Sequence, residues 1–192
     1  MALLQNPFFR FLAIASLLGI AWFGSYEFFL DEEDTLDIYV IKNLVWISGG
    51  ILQLLGYSLI DSDPTDLKVQ ILGIDGTHGL WIGDNCNGLT LFAMFTIFVM
   101  AYPGAWKRKL WFIPLGILAI HLFNVVRIIS LVLIVYYYPD PDVLDFNHDY
   151  TFQTLVYAFV FYFWYLWAEK LSGVKLVNPN QSTASDETAT QT

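Results

Sequence analysis

The sequence predicts an all-α membrane protein: a helical transmembrane bundle of about four to five spans, with an interfacial or re-entrant helix and a small external hairpin. Composition is the first reason. Of 192 residues, 56% are hydrophobic, 18% aromatic and only 14% charged, against roughly 25% charged in soluble domains. The second is the recurrence of apolar runs long enough to cross about 30 Å of hydrocarbon at about 1.5 Å per residue. The third is the basic cluster Lys107-Arg108-Lys109 between two of those runs, which sets their direction.

Phe8 to Phe29 is apolar apart from Arg10 and Glu27 and reads as the first transmembrane helix. Arg10 and a Leu-rich stretch also suit a signal peptide. No small-x-small cleavage site precedes a soluble domain, so an uncleaved anchor is expected. The acidic stretch Asp31-Glu32-Glu33-Asp34 and Asp37 follow. Leu44 to Ile60 is apolar but short, carries Gly49, Gly50, Gln53 and Gly56, and is bordered by Asp61, Asp63 and Asp66. It is read as an interfacial or re-entrant helix on the external side. The alternative is Met1 outside with two ordinary spans, and acidic residues orient topology too weakly to choose.

Lys68 to Ile82 has β-favouring residues on both sides of Asp75-Gly76, a dipeptide suited to a tight turn with positive φ, and predicts a small hairpin outside the membrane. Gly88 to Tyr102 is a further apolar helix, ended by Pro103-Gly104. The basic turn after it is read as cytoplasmic, so Cys86 falls at the opposite, external end. Trp111 to Tyr138 returns, and Arg127 lies about 24 Å along it, near the external boundary. A short polar loop from Pro139 to Asp149 leads to the aromatic-dense helix Thr151 to Ala168, which puts His148 at its external end. Lys170 and Lys175 agree with a cytoplasmic side after that span. Residues 1–176 are expected to form one integral membrane catalytic domain. Residues 177–192, within a tail rich in Ser, Thr, Asn and Asp, are expected to be disordered.

A net charge of −9 argues against nucleic acid as a partner, since nucleic acid attracts basic surfaces. The bilayer itself is the expected surrounding. A single cysteine excludes an internal disulfide and any Cys-pair metal site. A lone Cys near an apolar helix is most often a small buried hydrophobe. Here it lies in Gly83-Asp84-Asn85-Cys86-Asn87-Gly88, a polar, glycine-flanked turn into a helix, where free N–H groups and the positive dipole end lower a thiol's pKa. Arg127 in a membrane helix costs several kcal/mol unless it pairs, snorkels or faces a wet cavity. Asn124 and His121 precede it by one and two helical turns and share its face, which a snorkelling Arg would not need. A loop histidine such as His148 is usually only solvated, and its placement beside the other two is what raises it. Together a thiol, a guanidinium and an imidazole at one membrane face can perform acyl transfer.

These residues resemble the exosortase/archaeosortase family of membrane transpeptidases. Members carry a Cys-Ser-Gly-type motif at a helix start, an Asn-x-x-Arg motif in the next helix and a His just before the following one. Here they read Cys86-Asn87-Gly88-Leu89, Asn124-Val125-Val126-Arg127 and His148, with the basic turn between the first two helices also matching. The resemblance runs from about Gly73 to Ala168, and the size is similar to the short Bacteroidetes-type variants. Asn87 stands where many members have Ser, a departure that bears on substrate selectivity.

The resemblance implies a cysteine transpeptidase or peptidase without cofactor. Its partners would be proteins bearing a C-terminal sorting signal, a short motif followed by a transmembrane helix and a basic end. Cleavage would occur at the external face of a bacterial inner membrane. Cys86 would be the nucleophile, Arg127 would stabilise the oxyanion or thiolate, and His148 would shuttle the proton. Asn124, Asn87 and Gly88 would bind or orient substrate, Asn124 through Arg127 or the substrate backbone. The aromatic residues Phe159, Phe161, Tyr162, Phe163, Trp164, Tyr165 and Trp167 suit lipid contact and anchoring better than specific recognition.

Two other classes remain open. A metal-dependent membrane hydrolase would use His78, His121, His148 and Cys86 as zinc ligands, without any His-Glu-x-x-His spacing in support. A non-catalytic scaffold or transporter subunit would use Arg127, Asn124 and His121 as a polar contact between helices.

Overall fold

The computed structural model describes residues 7–26, 35–61, 69–83 and 86–173. The acidic stretch at 31–34 and the expected tail from 177 lie outside the described residues. The architecture is helical throughout apart from one hairpin: α1 (Pro7–Ser25), α2 (Thr35–Leu54), β1 (Gln70–Leu72), β2 (Leu80–Ile82), α3 (Leu89–Ala101), α4 (Trp106–Tyr137), α5 (Pro141–Phe146) and α6 (Phe152–Leu166). π-helical turns at Asn147–Thr151 and Trp167–Leu171 extend α6 at both ends. α1 and α4 are each long and apolar enough to cross a membrane.

One end of the bundle is basic. Phe11, beside Arg10, stacks on Phe98 and Trp164 and meets Tyr102 edge-on, which brings the start of α1 to the ends of α3 and α6. Arg108 Nη1 donates to the Leu171 carbonyl at 3.0 Å. Lys109 turns inward, its Nζ donating to the Met100 and Tyr102 carbonyls at 2.7 and 2.8 Å, so it satisfies acceptors that the end of α3 would otherwise leave open. A core of Phe95, Val99, Phe112, Ile120, Val160 and Trp167 fills the layer above. Gly116 permits this closeness, because a Cβ there would collide with the Phe95 ring.

At the other end, α1 finishes, α2 and α3 begin, α6 begins, and α4 passes through. The Tyr26 hydroxyl donates to Asp37 Oδ2 at 3.1 Å, and Asn124 Nδ2 to the Asn87 carbonyl at 3.4 Å. From Trp106 to Arg127 is about 32 Å of helix at about 1.5 Å per residue, close to one hydrocarbon thickness.

Helix α2 does not return to the basic end. It runs from the level of Asn87 alongside the second half of α4, with Asn43 Oδ1 against His121 Nε2 at 2.8 Å and the Tyr57 and Tyr137 hydroxyls 2.7 Å apart. The hairpin closes over it, and Ile41, Leu44, Leu52, Leu72, Ile74, Leu80, Ile82, Val125, Ile128, Leu131 and Val132 form a second core. α2 thus starts beside the Cys86 turn and packs along α4.

The hairpin pairs Gln70 with Ile82, Ile71 with Trp81 and Leu72 with Leu80, antiparallel. Its turn is at Asp75-Gly76, with Gly76 at φ 87° and Thr77 N–H donating to the Ile74 carbonyl at 3.1 Å. Four boundaries differ from expectation. α2 ends at Leu54 rather than Ile60, since Gly56 turns the chain at φ 92° and Leu59 bridges to Ile74. α2 starts at Thr35 rather than Leu44, because its first turns bury Asp37 and Ile41 on one face and need no continuous apolar run. α4 starts at Trp106, with Lys107 and Arg108 exposed in its first turn and Lys109 turned inward to the end of α3. The segment after Pro139 is not a loop: Asp140 caps α5 by accepting from Asp142 N–H at 3.0 Å, with Pro141 in the first turn, so helix continues to α6.

Candidate active site

Cys86 lies in a single helical turn between β2 and α3. Its N–H donates to the Gly83 carbonyl at 2.9 Å, and its side chain is buried. The next two residues define the turn. Asn87 Oδ1 accepts the Leu89 N–H at 2.8 Å, closing the start of α3. Gly88 sits at φ 78°, and a Cβ there would run into the Asn124 amide. Gly88→Ala is therefore expected to cost at least about 2 kcal/mol and to displace Cys86. A lower thermal midpoint with slower alkylation of the thiol would report it. Gly50→Ala, with nothing within 4 Å, should leave both properties intact.

Across from this turn, α6 begins with the π-helical segment that carries His148. His148 Nε2 is 3.5 Å from Cys86 Sγ, and His148 Nδ1 is 2.7 Å from Asp149 Oδ1. An ionised carboxylate can only accept, so Nδ1–H donates to Asp149 and Nε2 is turned to the sulfur. Burial of Cys86 works to raise its thiol pKa. The hydrogen bond from His148 and the charges of Arg127 and His148 outweigh it, and the thiol lies below its ordinary value. His148 is raised above the usual imidazole value, first by its bond to Cys86 and then, against burial, by Asp149. The pair thus favours thiolate and imidazolium.

Arg127 reaches the same place from the middle of α4. It is buried, and its Nε has no hydrogen-bond partner among the described residues. With His148, Asn87, Gly88, Gln153 and Tyr157 it lines a cavity of about 380 Å³ between α3, α4 and the start of α6. Nε itself is enclosed, but Arg127 lines the cavity, where a guanidinium suits an anionic or carbonyl oxygen.

All six residues singled out in the sequence are thus gathered: Cys86, Arg127 and His148, with Asn124, Asn87 and Gly88 around them. Asn124 is used differently from the expected contact with Arg127, since its amide donates to the Asn87 carbonyl. His121 separates from the face it was expected to share. It bonds Asn43 of α2 and lies near the Phe92 ring, because α2 occupies that side of α4. His78 is farther along, in a small pocket with Val135, Tyr138 and Leu144. The ligands that a zinc site would require are therefore spread over three places. Of the aromatic set on α6, Trp167 is fully buried and Phe163 and Trp164 pack inward, while Phe161, Tyr162 and Tyr165 face outward.

Two further residues of the site, Asp37 and Asp149, are not singled out by the sequence. Asp149 reads there as loop polarity, although its position next to His148 is a usable signal. Asp37 reads as part of an exposed acidic stretch, yet it is 1% exposed and receives the Asn87 Nδ2–H and the Tyr26 hydroxyl. A helix begun at Thr35 places it on the inward face.

The family model described as transmembrane exosortase (Exosortase_EpsH) matches residues 3–166. No curated protein and no solved structure gives a match.

Proposed function

Because the chain belongs to the transmembrane exosortase family, we propose that it is a cysteine transpeptidase or peptidase that cleaves C-terminal protein-sorting signals at the outer face of the bacterial inner membrane. The observation that carries the reading is the 3.5 Å contact between Cys86 Sγ and His148 Nε2, made at the edge of a cavity that Arg127 also lines.

In this reading the Cys86 thiolate attacks the carbonyl carbon of the scissile peptide bond, and the negative charge passes to the carbonyl oxygen beside Arg127. Low dielectric strengthens that interaction. As the tetrahedral species collapses, His148 gives its proton to the departing amine, which leaves with the transmembrane part of the signal. The remaining acyl group is a thioester on Cys86. An incoming amine or water then attacks the thioester, His148 takes its proton, and the thiolate departs. Asp149 holds the imidazole in the tautomer that this requires.

The basic end of the bundle, with Arg10, Lys107, Arg108, Lys109 and Lys170, would face the cytoplasm under the positive-inside rule. The site would then face the periplasm. A substrate anchored by its own helix arrives with the scissile bond already near that surface, and shared membrane residence raises the effective concentration.

The test is co-expression with a reporter ending in such a signal, reading loss of the signal by mass and location. His148→Ala is expected to slow release of processed product by about 10²- to 10⁴-fold while the protein remains folded. Wild-type processing in this variant would remove His148 from the mechanism and leave a scaffold role as the better reading.

A further inference from the structure

We infer that Asp37, on the first turn of α2, is a positioning residue for the nucleophile turn, acting through the side chain of Asn87. The inference rests on the cysteine-transferase reading for its role in turnover, but its geometry is independent of any substrate.

Asp37 is 1% exposed in a chain where charge is scarce. Among the described residues it makes no ion pair. Its carboxylate instead accepts from the Asn87 amide through Oδ1 and from the Tyr26 hydroxyl through Oδ2. A buried carboxylate is costly unless its oxygens are well bonded, and the start of α2 adds a favourable dipole. Bonds to a charged acceptor are about twice as strong as neutral ones, so Asn87 is held firmly.

Asn87 cannot yield to any displacement without disturbing Cys86. Its other amide atom, Oδ1, accepts the Leu89 N–H at 2.8 Å, and its backbone carbonyl accepts from Asn124 at 3.4 Å. Side chain, helix start and main chain are therefore fastened at one residue, and the thiol is on the residue before it. Cys86 Sγ meets His148 at 3.5 Å, an ordinary sulfur hydrogen-bond distance, and a shift of about 1 Å would break it at a cost of about 100-fold. α2 thereby couples to the chemistry from a helix that contributes no reacting atom.

A simple staple between α2 and α3 would also bury Asp37. The two roles separate in a double-mutant cycle read on the thiol. Asn87→Asp alone faces Asp37 with a second carboxylate, and adding Asp37→Asn restores one donor and one acceptor with their places exchanged. In the exchanged pair the carboxylate at position 87 can still accept the Leu89 N–H.

The full-length protein in detergent would be alkylated with iodoacetamide across a pH series, Cys86 being its single cysteine, with the thermal midpoint as a folding control. Asp37→Ala is expected to slow alkylation about 10- to 100-fold at neutral pH and to move the profile to higher pH. Asn87→Asp should be slowed at least as much, and Asp37→Asn with Asn87→Asp should recover most of the wild-type rate and its pH midpoint. A folded Asp37→Ala protein with the wild-type profile would overturn the inference. So would an exchanged pair no faster than Asn87→Asp, which decides the matter if Asp37→Ala fails to fold. Because alkylation needs no sorting signal, recovery in the exchanged pair alongside signal cleavage by Cys86→Ala would reject the proposed function and leave the positioning intact.

Discussion

Cys86→Ala should abolish signal processing, with a fall of at least about 10⁴-fold, because Cys86 is the single cysteine and the thiol that His148 Nε2 meets. Folding should be nearly unaffected. The side chain is small and buried, and its removal deletes one sulfur contact from a core of much larger residues. The pH dependence of the wild-type protein follows from the two shifts at the site. The thiol is lowered, so the nucleophile stays ionised to lower pH than an ordinary thiol, and activity is lost as pH falls through its lowered pKa. The imidazole is raised, so the proton donor persists above the usual histidine range and is lost as pH rises through the raised value. The rate should therefore follow a two-limbed pH profile whose limbs belong to the pair rather than to either residue. Alkylation of the thiol, which needs only the nucleophile, should fall on the acid side alone. Processing by Cys86→Ala at more than a hundredth of the wild-type rate would end the nucleophile assignment.

Arg127→Lys should lower kcat by about 10²- to 10³-fold with a much smaller change in KM, the loss typical of removing one preorganised oxyanion donor. Charge alone is not what Arg127 supplies. Its planar fork presents several fixed N–H groups from a residue that lines the cavity. An ammonium on a flexible stem would keep the positive field but lose that geometry. The field and the fork can be told apart. With the charge retained, the acid limb of thiol alkylation should move little in Arg127→Lys, while it should shift upward in Arg127→Met, which removes the charge that helps hold the thiol down. Full turnover in Arg127→Lys would show that a positive charge suffices and would remove the oxyanion role.

Much of this site is legible in the sequence because each of its members violates a membrane expectation. A guanidinium in an apolar run, a lone thiol in a glycine-flanked turn and a histidine at a helix start need no coordinates to be noticed. Topology then brings them to one level. What the sequence does not carry is the direction of side chains where several helices begin together. Asp37 looks like one more acid of an exposed stretch, since its burial depends on α2 starting at Thr35, well before its apolar run, and packing against the turn that opens α3. His121 shares helical spacing with Asn124 and Arg127, but α2 packs on that side and takes it for Asn43. The polar segment after Pro139 looks like loop, yet Asp140 and Pro141 are start signals for a helix, and that helix gives His148 the rigid setting that a loop would lack.

The central claim is that Cys86 becomes acylated by the sorting signal. The most direct measurement is intact mass of the purified protein after incubation with a membrane-anchored substrate bearing such a signal, using His148→Ala to slow release. An added mass equal to the substrate up to its scissile bond, located on Cys86 and absent from Cys86→Ala, is the expected result. Cleavage of the substrate by Cys86→Ala, or processing by the wild type with no adduct on Cys86 under trapping conditions, would contradict it.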